Sequence, residues 1–177
     1  MHAAPRAYWM FKAMGAKRVK ILNGPLAKWI KEGKPIDSTD PEESKQTARG
    51  PQTITDMNYI FKNNVLFKYE HFPINVLPVV DSRDSAEFAQ GTVANAISLP
   101  YESLLNEDYS FKSKDEIAAA FKSASINKPH SEALVLSCNR GVTACALDIA
   151  LRELGNTNSR MYDGSWTEYK ARKTQGK

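Results

Sequence analysis

At 177 residues, 42% apolar and 25% charged, the chain can bury one substantial core and is too short for two. Its formal net charge is +4, no stretch approaches the roughly 20 apolar residues needed to span a bilayer, and two cysteines are too few for a disulfide scaffold. A membrane-spanning helix, a collagenous or disordered chain and a small disulfide-stapled domain are excluded, and the cysteine count points to a reducing compartment.

The positive charge is concentrated at the front, where His2, Arg6, Lys12, Lys17, Arg18, Lys20, Lys28 and Lys31 precede the first acid, Glu32. A basic, acid-poor opening is the composition of a mitochondrial presequence. Residues 33–52 mix Pro, Gly, Ser, Thr and charge without an apolar period, which predicts a linker. Thr55 and Asp56 can cap a helix through about Lys62. The apolar run 76–81 (VLPVVD) predicts a buried parallel strand, with Pro78 favouring a sheet edge or a bulge. A short helix carries Ser85 to Ala89, and 96–100 (AISLP) predicts the next strand. Ser113 followed by Glu116 is a capping box opening a helix through about Ser123. A strand over 133–138 (ALVLSC) runs into a glycine-containing turn, then a helix from about Val142 to Leu154 that Gly155 ends. A strand over 159–163 and a short helix close the chain. Strands alternating with helices imply an α/β fold with a mostly parallel sheet covered on both faces.

The front segment pairs with the end of the chain at one constant offset. GAKRVKILNGPLAKW from Gly15 lies against GNTNSRMYDGSWTEY from Gly155, matching Gly24 to Gly164, Leu22 to Tyr162 and Trp29 to Tyr169, and upstream Ala4 meets Ala144. Residues 1–32 therefore read as the closing helix, strand and helix of a first copy of the domain, residues 33–52 as the linker and residues 53–177 as the second copy. A lone strand and two helices cannot bury their own apolar faces, so Trp9, Phe11, Trp29 and the expected strand 19–22 (VKIL) require cover from this domain or from another chain. A protein partner over residues 1–32 is expected.

The chemistry-bearing segment is Cys138, Asn139, Arg140, Gly141, Val142 and Thr143, between a buried strand and a helix N-terminus. Successive backbone N–H groups and the helix dipole can form an anion cradle there, and Gly141 permits the curl. A thiolate in that cradle gains what an anionic ligand would, which makes Cys138 the candidate nucleophile. Cys145, among Ala144, Ala146, Leu147 and Ile149, reads as a core residue. His2, His71 and His130 stand singly, so no metal site and no cofactor are expected. A cysteine phosphatase needs an arginine at the end of its loop, where this chain has Ala144. Nucleic-acid binding has no supporting module.

SCNRGVTACALDIALRELG followed by MYDGSWTEY resembles the active-site loop and closing motif of the C-terminal domain in tandem thiosulfate and 3-mercaptopyruvate sulfurtransferases of the rhodanese family. VVDSRDSAEFAQGTVANAISLP resembles the early part of a rhodanese domain, and APRAYWMFKAMGAKRVKILNG the end of these enzymes' N-terminal domain. The resemblance implies a rhodanese-like three-layer fold and a persulfide cycle on Cys138, with a small anionic sulfur donor held by Asn139, Arg140, Gly141, Val142 and Thr143. Arg140 tips the donor toward thiosulfate, whose oxygens a guanidinium can clamp. Asp81 and Arg83 are structural supports, Asp81 accepting N–H bonds after its strand and Arg83 pairing with Glu87. The family's resemblance also suits the mitochondrion. The chain departs from the family pattern: Glu87 stands before Phe88 where the tandem enzymes place a substrate-binding arginine, Gly91-Thr92-Val93-Ala94-Asn95-Ala96 stands where the family has G-H-I-x-G-A, and most of the N-terminal domain that forms one wall of the family's cleft is not in this sequence. Two functions follow, an active sulfurtransferase or a rhodanese-like subunit retained for binding.

Overall fold

A computed structural model describes residues 3–38, 65–72 and 77–176. Two helices, α1 (Ala3–Ala13) and α2 (Leu26–Lys31), precede a five-stranded sheet. The strands are β1 (Leu66–Phe67), β2 (Val79–Asp81), β3 (Ile97–Ser98), β4 (Val135–Ser137) and β5 (Arg160–Tyr162). Helices α3 (Ser85–Ala89), α4 (Lys114–Ser123), α5 (Ala144–Glu153) and α6 (Ser165–Thr174) fall between and after them. The strand order is β1-β5-β4-β2-β3, with every neighbouring pair parallel. The fold is a three-layer α/β sandwich.

Alternation along the strands builds two cores. Val80, Leu134, Leu136, Cys138 and Met161 face one side, where Ile117 and Phe121 of α4 and Leu147 and Leu151 of α5 cover them. Phe67, Val79, Val135 and Tyr162 face the other, against Trp166 and Tyr169 of α6. The expected capping box opens α4: Ser113 Oγ accepts the Glu116 N–H and Glu116 Oε2 accepts the Ser113 N–H. Gly155, at φ +89°, ends α5.

Three expectations are corrected here. β2 lies between β3 and β4, so Pro78 marks no edge; it precedes the strand, and its carbonyl accepts the Val135 N–H at 2.9 Å. Residues 19–22 form no strand, and Leu22 is 58% exposed. β5, which lies at the constant sequence offset from them, has β1 and β4 to pair with, whereas VKIL has no neighbouring strand among the described residues. Trp9 needs no second chain: it is 5% exposed and joins the core with Ala13, because α1 lies across α5. Phe11 remains exposed. The helix expected over 55–62 and the linker beyond residue 38 lie outside the described residues.

α1 and α5 pack against each other, and they are the two helices that the constant sequence offset expected of a repeat would match. The first segment is fastened to the domain again by Lys28 Nζ on Asp108 Oδ2 (2.7 Å) and by the Phe111 N–H on Asn23 Oδ1 (2.7 Å). No helix among the described residues is long and apolar enough to cross a membrane.

Candidate active site

β4 is buried along its length between β2 and β5 and delivers Cys138 to the carboxyl end of the sheet, the end at which open parallel sheets bind ligands. Cys138 is 1% exposed, while Asn139 and Arg140 after it face solvent. Gly141 turns the chain at φ +71°; a Cβ there would lie 2.7 Å from Asp163 Oδ1 and 2.8 Å from the Asp163 carbonyl. Only glycine meets both conditions. The helix then starts at Ala144, two residues later than the sequence pattern predicts, leaving Val142 and Thr143 in the turn.

The loop is shaped from outside by the first turn of α6. The Trp166 N–H donates to the Cys138 carbonyl (3.0 Å), and the Thr167 N–H and hydroxyl both donate to the Asn139 carbonyl (3.1 and 2.8 Å). In a planar trans peptide the C=O and the following N–H point in opposite directions. Fixing those carbonyls outward therefore turns the N–H groups of Asn139 and Arg140 the other way. Among the described residues, the N–H groups of Asn139, Arg140, Val142, Thr143 and Ala144 donate to no protein acceptor. Two others are taken: Ser165 Oγ accepts the N–H of Cys138 and of Gly141, both at 3.1 Å, and donates to the Tyr162 carbonyl at 2.8 Å. Ser165 was not singled out in the sequence, although it stands inside the MYDGSWTEY motif.

Thr143 Oγ1 lies 2.8 Å from Ser82 Oγ, tying the start of α5 to the end of β2. Arg140 extends into solvent with no ion-pair partner among the described residues. Cys145 is fully buried, its thiol donates to the Gly141 carbonyl at 3.2 Å, and burial pushes that thiol up to about 12. It stays protonated and packed, while both cysteines remain free of disulfides.

Asp81 and Arg83 form a buried, two-pronged ion pair, Nη2 to Oδ2 at 2.8 Å and Nε to Oδ1 at 3.0 Å, and Asp81 also accepts the Arg83 N–H. The expected side-chain pair between Arg83 and Glu87 is not made. Asp81, sitting at the strand end, captures the guanidinium, whose other N–H groups bind the backbone carbonyls of Glu87 (3.1 Å) and Gly91 (2.7 Å). The plane also stacks near Trp166, 5.2 Å from the ring centre. Arg83 thereby clips α3 against the start of α6, and the Glu87 side chain turns to the loop: its Oε1 accepts from Asn139 Nδ2 at 3.0 Å. A carboxylate stands at the rim of the cradle.

Residues 69–172 match the family described as Rhodanese-like domain. The chain is 33% identical to a thiosulfate sulfurtransferase of Gallus gallus and 32% identical to one of Bos taurus, in each case over 94% of this chain and 58% of the relative. It spans less than two thirds of the length of those relatives. Among solved structures it resembles the Tum1 protein of Saccharomyces cerevisiae, with TM-score 0.76 and 24% identity over 97% of this chain and 63% of that one. It also resembles a 3-mercaptopyruvate sulfurtransferase of Leishmania major, with TM-score 0.71 and 23% identity over 94% of this chain and 47% of that one. At those identities the structural likeness speaks for the fold.

Proposed function

The chain belongs to the rhodanese family, and on that premise we propose that it moves a sulfane sulfur from thiosulfate or 3-mercaptopyruvate to a thiol or cyanide acceptor through a persulfide on Cys138. The carrying observation is the set of loop N–H groups, those of Asn139 and Arg140 turned away from the carbonyls that α6 holds, which have no protein acceptor among the described residues, next to the one cysteine at a strand end. With thiosulfate, the Cys138 thiolate attacks the outer sulfur, the S–S bond of the donor breaks and sulfite leaves with the bonding pair. The terminal persulfide sulfur is then anionic, the species the cradle suits. An acceptor thiolate or cyanide attacks that outer sulfur and regenerates the Cys138 thiolate.

In this reading Asn139, Arg140, Gly141, Val142 and Thr143 bind the donor and the persulfide, Arg140 through its exposed guanidinium, while Asp81 and Arg83 hold the scaffold. Residues 1–32 are the closing part of a first rhodanese-like domain, residues 33–52 the linker and residues 53–177 the catalytic domain. Intact mass before and after thiosulfate, with Cys138→Ser as control, tests it. A gain of one sulfur that the variant lacks is expected. No gain, with Cys138 still open to alkylation, overturns it.

A second reading, a rhodanese-like subunit retained for binding a protein partner, is favoured by Glu87 facing the loop and by the exposed Phe11, Leu22, Leu26 and Ile30 of the first segment. A monomeric chain that turns over thiosulfate alone would remove the need for it. A basic chain of this family suits the mitochondrion, which cell fractionation would check.

A further inference from the structure

Arg6 projects from α1, a helix of the first segment, onto the loop that follows Cys138. Its Nη1 donates to the Gly141 carbonyl at 3.1 Å and to the Asp163 carboxylate, and its guanidinium lies 5.1 Å from the centre of the Trp9 ring. The Cys145 thiol donates to the same Gly141 carbonyl from the other helix of the packed pair. That carbonyl is thus the third in the loop to be held outward, after those of Cys138 and Asn139, and the only one of the three held from outside the second copy of the domain. Across the Gly141–Val142 peptide, fixing the carbonyl toward Arg6 fixes the Val142 N–H in the opposite direction. That N–H donates to no protein group among the described residues.

We infer that Arg6 is a positioning residue for the anion cradle: it sets the orientation of the Gly141–Val142 peptide, so that the first segment completes the site of the second copy. The inference rests on the cradle of the proposed function. Gly141, at φ +71° and without a Cβ, is the residue least able to hold its own peptide orientation, which is where an external clamp has most effect. Trp9 is buried in the core and presents its ring to the guanidinium, so the arginine is held on a packed support instead of hanging from a loose terminus. Asp163, the second acceptor of Nη1, lies in the turn between β5 and α6 and anchors the clamp on the catalytic domain.

The test is the alkylation of Cys138 in the full chain by iodoacetate, an anion, against iodoacetamide, its neutral analogue, each rate read at Cys138 by peptide mass. Neither reagent requires sulfur transfer, so a chain that takes no sulfur from thiosulfate refutes the sulfurtransferase reading while still reporting on the cradle. In Arg6→Met, which keeps an apolar stem over Trp9, the ratio of the iodoacetate to the iodoacetamide rate is expected to fall about tenfold, the effect of one misdirected hydrogen bond to an anion. General loosening of the fold would change both rates together and leave the ratio in place. The fall is expected to persist in 0.5 M salt, where a through-space effect of the lost charge is screened within about 4 Å. Arg6→Lys, which can still reach one of the two acceptors with a cationic donor, is expected to recover part of the ratio. An unchanged ratio in both variants, a fall that vanishes in salt, or a wild-type ratio no higher than that of free cysteine would each overturn the inference.

Discussion

Asn139 Nδ2 donates to Glu87 Oε1 at 3.0 Å, so the residue that follows the candidate nucleophile is held by a carboxylate on α3. Under the proposed function, a dianionic donor approaching the loop would feel both the exposed Arg140 guanidinium and this negative charge. Two unit charges several ångströms apart near a protein surface interact by about 1–3 kcal/mol before screening. Glu87→Gln, which keeps the side chain's size and can still accept from Asn139, is expected to lower KM for thiosulfate about fivefold with kcat nearly unchanged, as for relief of repulsion in binding. Steady-state kinetics check it; an unchanged KM would show that the carboxylate does not reach the donor's path.

Removing the guanidinium beneath α3 should act on stability first. Arg83→Met leaves the Asp81 carboxylate buried without its partner, and breaking a buried pair in this way costs about 3–5 kcal/mol. The carbonyls of Glu87 and Gly91 lose their donor as well. Urea denaturation is expected to show the midpoint falling with little change in slope.

Ser165→Ala separates the shape of the loop from its chemistry. Its hydroxyl accepts from two buried N–H groups at once, so the substitution strands both, at about 1–3 kcal/mol for each unsatisfied group. Stability is expected to fall by about 2–6 kcal/mol in denaturant titration, with persulfide formation lost in proportion as the loop relaxes. The residue sits at φ +51°, so Ser165→Gly relieves backbone strain while removing the same acceptor and is expected to be the milder of the two.

The Lys28 ammonium, the largest influence, holds the Asp108 carboxyl well below the usual carboxylate range, with help from the hydroxyl and N–H of Ser110. A carboxyl whose value is depressed on folding contributes stability above its unfolded value, about 3.9, and that contribution is lost as pH falls through the folded value. The tie between α2 and the domain is therefore expected to hold at neutral pH and to weaken only below about pH 4. In Lys28→Met, a carboxyl-resolved NMR titration should show Asp108 ionising closer to its ordinary value.

The strands at 79–81, 97–98, 135–137 and 160–162 lie within the runs that the sequence predicts; 79–81 and 135–137 are buried along their length, whereas 97–98, at the sheet edge, is only half-buried and 160–162 opens on a half-buried arginine. The capping box of α4 is local chemistry and equally readable. β1 escaped because a two-residue edge strand carries no period. VKIL misled for the converse reason: its residues suit a strand, but a strand is made by its neighbours. In the site, Cys138 through Thr143 are contiguous and visible as a motif, whereas the Glu87 to Asn139 bond and the reach of Arg6 to Gly141 join residues far apart in the chain. The expected Arg83 to Glu87 pair followed helix spacing and lost to Asp81, which offers two oxygens at no cost in reach.

The strand order also sets a timetable for synthesis. β4 finds its seat beside β2 only after α3, β3 and α4 have been made, and β1 has no partner until β5 emerges near the carboxyl end. Pairings this distant in sequence pay their loop-closure entropy before any contact rewards it, which slows folding. A growing chain on the ribosome therefore carries the strands 79–81 and 135–137 with their sheet unfinished, and Ser165, Trp166 and Thr167, which tie down the loop after Cys138, arrive only with the closing helix. The thiol is complete as a residue long before it is enclosed as a site, so during that interval it is open to any oxidant or electrophile in its surroundings.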